Sequence, residues 1–138
     1  MRLVIDSNVI ISAYTTDGDV RTLWQQGLEL QTLLISPEIF SEIERNLRRT
    51  EFGLQPEEVR MVLSDILKRC EVIRMSSSPI DYEGDAHLAV LESDARADFI
   101  VTGDHALLDR GKIGETQTIS PGELASKLQE SPDDILQH

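Results

Sequence analysis

Short apolar runs and longer amphipathic stretches alternate along the chain. Leu3-Val4-Ile5, Thr32-Leu33-Leu34-Ile35 and Phe99-Ile100-Val101-Thr102 are continuous and rich in β-branched residues. That pattern predicts strands of a parallel sheet covered on both faces. Glu71-Val72-Ile73-Arg74-Met75 predicts a half-buried strand nearer an edge, and Gln117-Thr118-Ile119 a weak fifth strand. Between the strands the apolar period lengthens. Val20, Leu23, Trp24 and Leu28 recur at helical spacing. Ser36-Pro37 is a start signal, a capping serine with proline at the first helical position. The helix it opens carries Ile39, Phe40, Ile43 and Leu47 on one stripe. Pro56 opens another, with Val59, Val62, Leu63, Ile66 and Leu67 facing inward. Residues 85 to 96 form a further helix, and Ser120-Pro121 caps a last one containing Leu124 and Leu128.

Strands alternating with helices predict a three-layer α/β domain with right-handed crossovers. The expected domain spans residues 1–130, followed by a flexible acidic tail over 131–138. In such sheets the carboxyl ends of the strands share one edge, and ligands bind there.

Composition narrows the function classes. One cysteine, Cys70, rules out an intramolecular disulfide and fits a reducing cytoplasm. With three scattered histidines it assembles no zinc-site spacing. Asp6 interrupts the apolar start at once, which argues against a signal peptide, and no apolar run is long enough to span a bilayer. A cytoplasmic protein without membrane association is expected. The net charge of −12 repels nucleic acid at long range. It leaves room for a nuclease whose acidic groups hold divalent cations, because bound ions reverse the local field.

Two strands end near an aspartate: Leu3-Val4-Ile5-Asp6 and Phe99-Ile100-Val101-Thr102-Gly103-Asp104. If these strands are neighbours, Asp6 and Asp104 meet at the crevice. Close carboxylates repel unless one takes a proton or a cation sits between them, and Mg²⁺ is a natural occupant. Each also has a plainer role, Asp6 as a helix N-cap and Asp104 as a turn residue after glycine.

Ile5-Asp6-Ser7-Asn8-Val9, Ser36-Pro37 with Glu42 in its helix, Asp85-Ala86-His87-Leu88-Ala89 and Val101-Thr102-Gly103-Asp104 occur in this order. Together they resemble the PIN-domain family, especially its branch of toxins from toxin–antitoxin pairs (VapC-like). The resemblance covers nearly the whole chain. It implies an α/β/α sandwich with a parallel sheet ordered 3-2-1-4-5, placing strands one and four side by side. It implies a Mg²⁺- or Mn²⁺-dependent endoribonuclease that cuts single-stranded RNA and leaves a 5′-phosphate and a 3′-hydroxyl. Asp6, Glu42, Asp85 and Asp104 match the acidic catalytic and metal-binding quartet. Ser7 and Asn8 match supporting positions after the first acid, and Thr102 precedes the last acid as a further supporting residue. Two ions, roughly 3.5–4 Å apart, would activate water and stabilise the leaving oxygen. Many relatives carry a further aspartate where this chain has Ala106, which puts the second metal site in doubt.

Periodicity alone does not select Glu42, since Glu44 lies off the apolar stripe at a comparable angle on its other side. Asp85 has a plainer role as an N-cap in an acidic loop with Asp81 and Glu83, and His87 is a packed helix residue rather than a base. Arg45, Arg48 and Arg49 form a basic ridge, and Arg110 with Lys112 follows the Asp104 loop. These could contact RNA phosphates, or form a solvated face with pairs such as Glu44–Arg48. No aromatic stacking platform is evident among Tyr14, Trp24, Phe40, Phe52, Tyr82 and Phe99. A toxin implies a small antitoxin partner, and the acidic surface suits a basic one. The stripe on the helix from Pro56 to Arg69 is either core or a homodimer face. The alternatives are a PIN-fold binding module that no longer cuts and, more remotely, a phosphatase with Asp6 as nucleophile. That chemistry wants a second aspartate where Asn8 stands.

Overall fold

A computed structural model describes residues 1–74 and 86–136, with backbone alone for residues 86, 87, 89, 90 and 130–136. Six strands form one sheet in the order β3-β2-β1-β4-β6-β5. They are β1 (Arg2–Ile5), β2 (Thr32–Ile35), β3 (Cys70–Val72), β4 (Phe99–Val101), β5 (Lys112–Ile113) and β6 (Thr116–Ile119). The first four strands and β6 are parallel, in the expected relative order, with β6 in the place expected for the fifth strand. The difference is β5, a two-residue antiparallel edge strand on β6. Lys112 lies in that strand, and two residues are too few to leave a periodic signal.

Leu3, Val4 and Ile5 are all fully buried. Successive side chains on a strand point to opposite faces, so both faces of β1 are covered. The parallel register then does the positioning. Ile5 pairs with Val101, and the Asp6 N–H donates to the Val101 carbonyl at 2.9 Å. One residue beyond each strand, Asp6 therefore stands beside Thr102. The Thr102 N–H in turn donates to the Ile119 carbonyl at 3.0 Å, which aligns β6 with the same edge.

Helices α1 (Ser7–Thr15) and α2 (Asp19–Thr22) follow β1. The helix expected from Val20 to Leu28 is instead the short α2 continued by a π-helical turn, Leu23–Gly27. A cluster of four apolar positions fits either period, so the pattern could not reveal the wider turn. At Gly27 a Cβ would stand 2.8 Å from Leu23 Cδ1, so a larger residue would have to displace that side chain. Helix α3 (Pro37–Leu47) begins at the expected signal, with Ser36 Oγ accepting from the Ile39 N–H at 3.1 Å. Helix α4 (Pro56–Arg69) buries Val59, Leu63 and Ile66 in the core, but Leu67, expected to face inward, is exposed, as is Met61.

Helix α5 (Ala86–Ala95) precedes β4, and α6 (His105–Arg110) follows it. Gly111 ends α6 in the left-handed region at φ 77°, its N–H donating to the carbonyls of Leu107 and Leu108. Helix α7 (Pro121–Leu136) runs past residue 130, the expected end of the domain. Met75, at the end of the expected third strand, lies outside the described residues. No described helix is long and apolar enough to cross a membrane.

Candidate active site at the carboxyl edge of the sheet

Five strands point their carboxyl ends at one edge, and the residues just beyond them are Asp6, Ser36, Ile73, Thr102 and Ser120. Asp6 occupies the N-cap position of α1, yet its side chain makes no capping bond. Its Oδ2 instead accepts from Thr102 Oγ1 at 2.8 Å. The same Thr102 oxygen accepts from the Asp104 N–H at 3.1 Å. One buried hydroxyl thus ties the carboxylate of the first strand to the backbone of the residue after the fourth. Thr102 and Ser7 are buried, Asp6 is half-buried, and Asn8 and Asp104 are exposed. Ser7 Oγ reaches Asp6 Oδ1 only at 3.5 Å, a long contact that leaves this oxygen weakly satisfied.

Asp104 is a helix N-cap rather than the expected turn residue. Its Oδ1 accepts from the Ala106 N–H at 2.8 Å and caps α6. Helix α6 was not evident in the sequence, because six residues carry too little periodicity. Asn8, Val9, Ser12, Gly103 and Asp104 line a pocket of about 280 Å³ beside these carboxylates. Asn8, expected to brace the loop after the first strand, stands at this pocket.

Glu42 lies half-buried on α3, with no side-chain hydrogen bond or ion pair among the described residues. Glu44 pairs with Arg48 at 3.0 Å, as the solvated-face alternative expects. The structure thus distinguishes two glutamates that the helical wheel could not. Arg49 pairs with Glu51 at 2.8 Å, so two arginines of the ridge have acidic partners. Arg45 is exposed, without a partner among the described residues, and Arg110 closes α6. Asp85 and its neighbours Asp81 and Glu83 lie outside the described residues, as does the side chain of His87.

The oxygen-only donor set at the crevice suits a hard divalent cation such as Mg²⁺, which uses one or two carboxylates and completes its shell with water and substrate oxygens. Among the described residues, no three acidic, histidine or cysteine side chains converge closely enough to hold an ion by themselves. The described residues thus fit a Mg²⁺-type site drawing on few protein ligands. They do not form a closed structural site.

These features define an α/β domain with a mostly parallel sheet and an aspartate beyond each of two neighbouring strands, the first and the fourth. The chain belongs to the PIN-domain family, whose model matches residues 2–106. Among the solved structures that share the fold are two. One is the VapBC2 complex of Rickettsia felis bound to a DNA fragment from its promoter. It is 16% identical with a TM-score of 0.62, covering 87% of this chain and 98% of that one. The other is a domain of a functionally unknown protein from Methanocaldococcus jannaschii, 17% identical with a TM-score of 0.57, covering 86% of this chain and 89% of that one. No curated protein is similar enough to match.

Proposed function

We propose that the protein is a divalent-metal-dependent endoribonuclease acting on single-stranded RNA in the cytoplasm, and the toxin of a toxin–antitoxin pair. The observation that carries the reading is the Asp6–Thr102–Asp104 linkage at the carboxyl edge, in a chain of the PIN family. Family membership supports nuclease chemistry, and the fold shared with one component of a VapBC complex supports a toxin. A small basic antitoxin suits the acidic surface.

When bound, a Mg²⁺ or Mn²⁺ ion supplies Lewis-acid polarisation of the scissile phosphate. Asp6, Asp104, Glu42 and Asp85 are the residues assigned to hold it. Thr102 orients Asp6 and fixes the backbone at Asp104. Asn8 faces the pocket where the substrate chain would pass, with Ser7 buried behind Asp6. Arg45 is the arginine of the ridge best placed to meet a phosphate, having no partner among the described residues.

The test is cleavage of a mixed single-stranded RNA pool in Mn²⁺. Wild-type cutting should vanish with EDTA and fall on the order of 10²–10³-fold in Asp6→Asn, which keeps an oxygen for the Thr102 hydroxyl. Cutting that survives the substitution would remove Asp6 from the site. A second reading, a binding module that does not cut, is favoured by the commitment of Asp104 to capping α6 and by Ala106. Well-folded, partner-free protein that binds no Mn²⁺ at millimolar concentration would select it.

A further inference from the structure

A second and larger cavity opens beside the acidic pocket. This groove of about 810 Å³ runs between the π-helical turn and α7, and shares Val20, Gly103 and Pro121 with the pocket at Asp104. A polymer passing over Asp104 therefore places its next unit at the mouth of the groove. We propose that the groove is a nucleobase subsite, holding one unpaired base next to the phosphate that is cut. The proposal rests on the nuclease reading for its setting and adds where base selection occurs.

The lining chooses between occupants. Val20, Leu23 and Leu128 supply apolar surface, and Gln26 and Gln129 supply amides. Asp19 is the single charged side chain among the described lining residues. A phosphate would find no cation there, and a basic peptide would find one carboxylate. A flat, neutral heterocycle suits such walls, since an extruded base packs between apolar side chains and is read along its polar edges. A glutamine amide offers a donor and an acceptor together, matching the paired groups on a base edge. Single-stranded RNA exposes those edges without the cost of opening a duplex. The groove thus answers the lack of a stacking platform: selection would run through amide hydrogen bonds and apolar packing. Its α7 wall lies beyond residues 2–106, the stretch that the family model matches.

Gly122 gives a way to close the groove without strain, because a Cβ there meets no atom within 4 Å. The experiment titrates metal-free protein with the four nucleoside 5′-monophosphates and with ribose 5-phosphate, following backbone amides by NMR. One base should bind most tightly and shift amides in Leu23–Gly27 and in residues 122–128, while ribose 5-phosphate leaves them still. Gly122→Leu and Gln26→Ala should each weaken that binding about fivefold or more. In Mn²⁺ cleavage assays, Gln26→Ala should flatten the base preference at one position flanking the cut. Gln26 is exposed, so its variant carries the test even if Gly122→Leu misfolds. Equal shifts from ribose 5-phosphate would overturn the proposal, as would folded variants that bind every nucleotide like the wild type. Groove shifts caused by a short basic peptide and by no nucleotide would replace it with a protein-docking surface. Base binding by a wild type that cuts no RNA would remove the nuclease reading and leave the base subsite standing.

Discussion

The two ends of the sheet use the same pair of groups to opposite effect. At the carboxyl edge, Thr102 donates to Asp6, whose other oxygen has only a long contact with Ser7. Toward the amino edge, Thr116 at the start of β6 donates to Glu92 of α5, and the Glu115 N–H approaches the other Glu92 oxygen at 3.4 Å. Glu92 is 5% exposed, whereas Asp6 is half-buried. Nearby, Asp98 accepts from the Arg2 N–H at 2.7 Å, and Arg2 Nε donates to the Ala95 carbonyl at 2.8 Å. A hydroxyl beside a carboxylate is therefore no signature of chemistry. What separates the ends is access: each carboxylate has one threonine hydroxyl and one long contact, but Glu92 is buried and Asp6 is only half-buried.

The sharpest way to break this contrast is to remove the hydroxyl at the carboxyl edge. Thr102→Val keeps the shape but leaves Asp6 Oδ2 and the Asp104 N–H without their shared partner. Losing a group that orients a metal-binding carboxylate typically costs 10–100-fold in affinity or rate. RNA cleavage and Mn²⁺ affinity should both fall by about that range. Thr102→Ser should restore most of it. Unchanged cleavage and Mn²⁺ affinity in Thr102→Val would show that Asp6 needs no positioning, and the proposed role of the linkage would fail.

Much of this geometry is legible in the sequence alone. The strands were marked by β-branched runs, and α3 by Ser36-Pro37, which the structure uses as cap and first residue. Neighbouring strands one and four brought the two aspartate-bearing ends together. The parts missed were short or two-valued. The π-turn shares its apolar spacing with a helix, α6 and β5 are too brief for periodicity, and the Asp104 cap hides inside a glycine turn. Glu42 and Glu44 looked alike until the Arg48 pairing set Glu44 aside. Glu92 gave no signal at all, because a lone acid in a helix of the charged exterior looks the same as one enclosed by a hairpin.

That enclosed acid supplies the next contrast. Glu92→Ala strands the Thr116 hydroxyl and removes the acceptor facing Glu115. Leaving buried donors unmet costs about 1–3 kcal/mol. Urea unfolding should show a loss in that range, with cleavage per folded molecule unchanged. A loss of cleavage at full stability would place Glu92 in the chemistry and erase the distinction between the two edges.

The smallest expected effect comes from a carboxylate that is saturated and carries a cation as well. Asp65 on α4 accepts from Tyr14 Oη and from Arg69 Nε, the latter at 3.0 Å. Trp24 Nε1 donates to the same phenol at 2.9 Å, so α1, the π-turn and α4 are joined through one oxygen. Burial works to raise the Asp65 pKa, but hydrogen bonds from Tyr14 and Arg69 outweigh it and hold the carboxyl below its ordinary 3.8. Burial and the bond to Asp65 also push the Tyr14 phenol well above 10, keeping it protonated as a donor. A depressed folded-state pKa contributes stability that is fully present above about pH 4 and is lost as pH falls through the folded value. Tyr14→Phe removes one of the two hydrogen bonds that lower it and leaves the indole N–H of Trp24 unmet. The variant should lose about 1 kcal/mol near neutral pH. The gap to wild type should narrow below pH 4, where protonated Asp65 no longer gains from the phenol. A gap that stays constant down to pH 2 would mean that the phenol acts on Trp24 alone and that Asp65 is held by Arg69.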